Sequence, residues 1–346
     1  MSVKNNIKIG YALGGGGARG LSHIGVLKVL DENGIFPDII AGTSIGAMVG
    51  ALYAGGYKPS EIERLVLELD WKKLIRLADM TLPLSGLLQG KRIVSLLRSI
   101  LGDLTFPQLR YAFACVATDI INGEQVVLRN GSLIDAVRAS ISIPGIFTPV
   151  AIKGRYLVDG SLINVVPVNV CREMGAGYVI GVNVVPDPRK AICDLNRDPQ
   201  YQVCGSTKLE ETGDKTDLAT VSRTDSHSLR SRIADIENAT KLFLMSHRPK
   251  RGRGMLKSPQ SSEVNKVRRV RTKPPGLIDV LSQTLTIAEY RVAVDNLKDA
   301  DLVINPDVKE IGFWQFNNAA KAIAAGEHAA RMVLDGNNVP SLLGQF

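Results

Sequence analysis

Two glycine-cornered turns and one distant acid are the residues of this chain that could do chemistry. Gly42-Thr43-Ser44-Ile45-Gly46 is a G-x-S-x-G. Its small residues let a chain bend sharply from strand to helix, which leaves a serine hydroxyl exposed on a strained corner. Upstream, Gly14-Gly15-Gly16-Gly17-Ala18-Arg19-Gly20 can offer backbone N–H groups to a developing oxyanion. A nucleophile with oxyanion donors specifies acyl transfer through a covalent ester.

The glycine-rich turn has a competing use, because Gly15-x-Gly17-x-x-Gly20 after a strand also fits a dinucleotide fingerprint. That use needs an acid at the end of the second strand, about 20 residues on, to hold a ribose. Asp38 stands at the beginning of that strand instead, and the Lys-Ser/Thr ending of a phosphate-binding loop is missing. Nucleotide binding is therefore disfavoured.

A serine needs a base. The four histidines are His23, His227, His247 and His328. His227 and His247 fall in a polar stretch, His328 lies inside the helical run Ala319–Met332, and His23 follows the glycine turn on a helix. A Ser…Asp…His order is disfavoured too, since Ser44 follows only two strands. A carboxylate is the remaining candidate. Asp159-Gly160-Ser161 directly follows Arg155-Tyr156-Leu157-Val158, which would carry an acid to a sheet edge with a glycine permitting close approach. An ordinary turn aspartate is the competing reading. As a base, Asp159 would gain from desolvation and from direct contact with the hydroxyl.

The elements that must position these residues alternate between strand and helix from Ile7 to Pro186, the pattern of an α/β fold. Strands are expected at Ile7–Leu13, Asp38–Ala41, Tyr111–Thr118, Glu124–Leu128, Arg155–Val158 and Tyr178–Val185. Helices are expected at Leu21–Asn33, Ile45–Ala54, Ser60–Leu69, Lys91–Leu101, Leu133–Ser140 and Val168–Met174. Runs such as Val179-Ile180-Gly181-Val182 suit a sheet covered on both faces. Beyond the stretch 188–275 the order resumes with a helix at Gly276–Leu297, a strand at Asp301–Asn305 and a helix at Asn317–Leu334. The expectation is one domain, 1–346, with 276–334 supplying its last strand and covering helices.

The 188–275 insertion reads as polar, basic and largely irregular. Between Arg189 and Lys273 the net charge is +9, so that the remainder of a chain of formal charge +8 is close to neutral. One helical island survives there, with Ile233, Ile236, Thr240, Phe243 and Leu244 on a single face. A solvated loop and a peripheral contact with anionic lipid at the inner membrane face are both open readings of this segment. Nucleic acid is not expected as a partner, because no recognisable module is present and few aromatics are interleaved. No protein partner is predictable. The residues from Leu74 to Leu88 form an apolar stretch that could cap a groove or simply pack. Four cysteines at irregular spacing, Cys115, Cys171, Cys193 and Cys204, indicate reduced thiols in a cytoplasmic setting. The N-terminus leaves no room for a signal peptide, and no apolar run reaches the ~18–20 residues of a membrane span.

Gly15-Gly16-Gly17-Ala18-Arg19-Gly20, Gly42-Thr43-Ser44-Ile45-Gly46 and Asp159-Gly160, in that order, resemble the patatin-like phospholipases, particularly the bacterial branch related to neuropathy target esterase. The resemblance spans roughly Lys8–Pro186 and resumes at Gly276–Leu334. It implies a three-layer α/β/α fold with a mostly parallel central sheet. It further implies a Ser–Asp dyad of Ser44 and Asp159 without histidine, and an oxyanion hole from the amides of Gly15, Gly16 and Gly17. Arg19 would brace that loop, and Gly42, Gly46 and Gly160 would support the turns. The implied activity is that of a lipid acyl hydrolase acting on phospholipid or lysophospholipid esters without metal or other cofactor. A catalytically weak regulatory or membrane-associated module is the alternative. Ala139–Phe147 also resembles a family stretch near the site. Asp159-Gly160-Ser161 departs from the more usual Asp-Gly-Gly or Asp-Gly-Ala.

Overall fold

The computed structural model describes residues 7–69, 90–188 and 277–337. Its strands are β1 (Ile9–Leu13), β2 (Ile39–Thr43), β3 (Ala112–Asp119), β4 (Gln125–Leu128), β5 (Val150–Ile152), β6 (Arg155–Asp159), β7 (Tyr178–Val182) and β8 (Leu302–Ile304). The α-helices are α1 (Ser22–Glu32), α2 (Ile45–Ala54), α3 (Pro59–Glu68), α4 (Lys91–Leu101), α5 (Leu133–Ser140), α6 (Val168–Glu173), α7 (Leu277–Asn296) and α8 (Ala319–Asn337).

Successive side chains of a strand point to opposite faces. Tyr11 and Leu13 of β1 accordingly enter one buried cluster and Ala12 another. Ile40, Phe113 and Ile180 join the first, while Ile39, Ala114 and Val179 join the second. Helices α1, α2, α3, α4, α5 and α8 cover the first face through residues such as Leu27, Val49, Ile62, Leu97, Val137 and Ile323. Helices α6 and α7 cover the second through Val170, Cys171 and Ala293. The result is a three-layer α/β/α arrangement, and all the described residues belong to one compact unit.

The strand order is β5-β6-β3-β2-β1-β7-β8, with β4 also paired to β3. The β3–β2–β1–β7–β8 pairings are parallel, whereas those among β3, β4, β5 and β6 are antiparallel. Register brings the chemistry together. Thr43 of β2 lies opposite Val116 of β3, and Asp159 of β6 lies opposite the next residue of β3, Ala117. Ser44 and Asp159 thus reach β3 at the same level. Leu13 opposite Gly42 brings the turn after β1 to that level as well.

Each strand and helix expected within the described residues is present, with ends shifted by a few residues. Strand β2 runs on through Gly42 and Thr43, and β7 stops at Val182. Strand β5 is an addition to the expected set, being three residues long and half-exposed. It forms a hairpin with β6 across Lys153 (φ 50) and Gly154 (φ 77), a two-residue turn with both angles positive. Beyond the insertion, β8 pairs with β7 and α8 packs on α1. Asn296 at the end of α7 accepts the amides of Val165 and Val166 at 2.8 and 3.2 Å, which ties this helix to the segment after β6. The 188–275 insertion, apart from its first residue, the helical island and the Leu74–Leu88 stretch lie outside the described residues. Among the described residues no helix is long and apolar enough to cross a membrane.

Candidate active site

Ser44 stands where β2 turns into α2, with φ 55 and ψ −122. Such a conformation costs a residue bearing a side chain on the order of 1–3 kcal/mol and persists only where the surroundings over-determine it. The Ser44 amide donates to Ser140 Oγ at 2.9 Å, and that hydroxyl donates to the Val116 carbonyl of β3 at 2.6 Å. Gly46 passes so close to β1 that an added Cβ would lie 2.1 Å from the Leu13 carbonyl oxygen. Only glycine lets the helix start this near the strand.

Asp159 ends β6 and caps the short 3-10 turn Gly160–Leu162. Its Oδ2 accepts the Ser44 hydroxyl at 2.6 Å, and its Oδ1 accepts the Ser161 amide at 2.9 Å. Its own amide and carbonyl are held by Ser142 O and Thr118 Oγ1, both at 2.9 Å. Ser44 and Asp159 are each 4% exposed. Burial raises the Asp159 pKa to about 6, against the opposing pull of the Ser44 hydroxyl and of the Ser161 amide and hydroxyl. A carboxylate so placed is still ionised at neutral pH and is a stronger base than an ordinary aspartate.

The glycine turn narrows what was expected of it. The Gly14 and Gly15 amides donate to Val182 O and Val165 O at 3.1 and 3.0 Å, and the Ala18 amide donates to Phe313 O at 2.9 Å. Gly15 therefore has its N–H committed to the carbonyl of Val165. The amides of Gly16 and Gly17 take no acceptor from the described residues, so two of the three expected donors are free. Gly17, at φ 60, also lies where an added Cβ would meet Phe313 O at 2.5 Å.

Arg19 is buried, donating from Nε to Ile311 O at 2.8 Å and from a terminal nitrogen to Thr286 Oγ1 at 3.3 Å. It ties the glycine turn to α7 and to the loop before α8. His23 is fully buried, and desolvation lowers its pKa to about 4, so the ring is neutral. Its Nε2 donates to Gly14 O at 2.8 Å, which makes it a brace for the turn. His328 is exposed on α8, and His227 and His247 lie outside the described residues. Among the described residues no group of three or more His, Cys, Asp or Glu is placed to hold a metal ion, and the thiols of Cys115 and Cys171 are free and buried.

Two contributors carry no signal in the sequence that would assign them to the site. Ser140 stands there only as part of a family-like stretch, and nothing in its spacing shows that it holds the Ser44 amide. Glu289 of α7 is 6% exposed with no partner for Oε2. Burial, then the charge of Asp159, raises its pKa to about 8, with Arg19 opposing. In Ile287-Ala288-Glu289-Tyr290-Arg291 it looks like any helix-surface carboxylate.

Fold and site together define an α/β protein with a buried serine–carboxylate pair at the strand ends, beside a glycine-rich turn with free amides. Residues 11–172 match the family model of the patatin-like phospholipases, and the chain carries a patatin-like phospholipase domain. It is 31% identical over 330 residues to an uncharacterized NTE family protein of Mycobacterium tuberculosis, covering 94% of this chain and 46% of that one. It is 38% identical over 183 residues to patatin-like phospholipase domain-containing protein 6 of Mus musculus, covering 51% and 13%. The chain spans about half the length of the mycobacterial relatives it matches. In fold it is similar to VipD from Legionella pneumophila, with TM-score 0.44 and 13% identity over 96% of this chain and 67% of that one.

Proposed function

We propose that this chain is a serine lipid acyl hydrolase, cleaving fatty-acyl esters of phospholipids or lysophospholipids through an acyl-enzyme. The observation that carries this is the 2.6 Å hydrogen bond from Ser44 Oγ to Asp159 Oδ2, buried on a strained strand-to-helix turn. A regulatory or membrane-binding module has no need of such a pair.

Ser44 Oγ attacks the ester carbonyl carbon as its proton passes to Asp159. The carbonyl oxygen becomes an oxyanion, and the amides of Gly16 and Gly17 donate to it at the start of the helical segment that leads into α1. Collapse expels the leaving alkoxide, which takes the proton from Asp159. A water then gives its proton to Asp159 and attacks the acyl-enzyme, and the second collapse returns the proton to Ser44 Oγ and frees the fatty acid.

Incubation with a fluorophosphonate and peptide mapping should find the adduct on Ser44, and a long-chain lysophospholipid should slow its formation. Labelling elsewhere, or none, would remove the assignment. The pH profile follows from the base. Only ionised Asp159 can take the proton, so kcat/KM on a nitrophenyl ester should rise about tenfold per pH unit below about 6 and level off above. A profile flat down to pH 4.5 would exclude Asp159 as that base.

A further inference from the structure

We propose that the Ser161 hydroxyl is a third donor to the oxyanion, a side-chain member of the hole alongside the Gly16 and Gly17 amides. This rests on Ser44 being the nucleophile. Ser161 is 5% exposed, and its Oγ has no hydrogen-bond partner. Leaving a buried hydroxyl unpaired is costly, so an idle one is expected to be paired in some state of the protein. Its position indicates which state. A Cβ built on Gly15 would lie 2.2 Å from Ser161 Oγ and 3.5 Å from Ser44 Cβ. The hydroxyl and the nucleophile thus border the same small volume on the glycine turn, immediately before the two free amides.

Asp159 does not require this hydroxyl. Its Oδ2 is taken up by Ser44 Oγ and its Oδ1 by the Ser161 amide, and the hydroxyl, although near enough to act on its charge, makes no hydrogen bond of normal geometry to it. Backbone and side chain of Ser161 divide the work: the amide positions the base, and the O–H faces the turn where negative charge develops. A glycine or alanine at this place would position Asp159 equally well and supply no third donor.

The test is Ser161→Ala, with Ser161→Gly as a second variant that also keeps the backbone amide, each checked for unaltered thermal unfolding. On a nitrophenyl ester kcat should fall about 10- to 100-fold, a share of what one oxyanion donor supplies elsewhere, with KM changed little. The acid-limb midpoint of kcat/KM should rise only slightly, since the hydroxyl is the last and smallest of the pulls that hold the Asp159 pKa down. Affinity for a trifluoromethyl ketone, whose hemiketal carries an oxyanion, should fall in parallel with kcat/KM. Unchanged kcat would overturn the proposal, as would a raised midpoint with plateau kcat intact, which would assign the hydroxyl to Asp159. Fluorophosphonate labelling of Ser44 in the same variants separates the two readings. Labelling with no loss of kcat sinks only the role of Ser161, whereas absence of labelling from the wild type sinks the nucleophile itself.

Discussion

Ser44→Ala, Asp159→Asn and the double variant are expected to lose the same activity, about 10⁴- to 10⁶-fold in kcat on a nitrophenyl ester, because residues acting as one unit are grossly non-additive. Ser44→Ala removes the attacking oxygen but leaves the backbone bond to Ser140 Oγ that holds the turn. Asp159→Asn keeps the shape and can still accept the Ser161 amide, yet an amide cannot take the serine proton. Each variant should therefore fold and fail. Kinetics on purified protein, with circular dichroism as the control for folding, decide the matter. Losses that multiply in the double variant would mean that the two side chains act independently, despite the 2.6 Å between them.

How far the site is legible in the sequence follows from what each part depends on. Helix α2 matches its expected limits, Ile45–Ala54, because a dense apolar run begins and ends at glycine-rich turns. Strand β5 is not foreseeable because Val150–Ile152 is too short to show a period, and its hairpin turn rests on a positive φ at Lys153, which no residue type announces. Ser44 and Asp159 are 115 residues apart in the chain and pair through the ordered motifs, not through spacing. What joins them physically is register, Thr43 against Val116 and Asp159 against Ala117, and register is a property of the folded sheet. The glycine turn shows the same limit. Three glycines are visible, but not that the Val165 carbonyl, held in place after β6, takes the first of their amides. Arg19 hydrogen-bonds α7 and the loop before α8. Its partners, Thr286 and Ile311, lie beyond the insertion, where no local signal connects them to it.

Glu289→Gln is expected to make the protein more stable than the wild type in alkali, with little change in the difference between the two below pH 4.5. The wild-type carboxyl titrates at about 8 in the fold, against an ordinary 4.5 when the chain is unfolded. Between these values the folded state holds a proton that the unfolded state has released, so wild-type stability falls as pH rises and levels off above about 8. At about 1.36 kcal/mol for each pH unit that separates the two values, the full loss approaches about 4–5 kcal/mol. Glutamine does not ionise and escapes it. Asp159, raised to about 6, adds the same kind of decline to both proteins and cancels from their difference to first order. The cancellation is incomplete in an informative way, because the charge of Asp159 is the second cause of the raised Glu289 pKa and that of Arg19 opposes it. In an Asp159→Asn background the midpoint of the Glu289 effect should therefore move to lower pH. Chemical denaturation at pH 4, 6, 8 and 9.5 measures both differences. Parallel stability curves for the wild type and Glu289→Gln would show that Glu289 ionises normally and that no neutral carboxyl stands near Asp159.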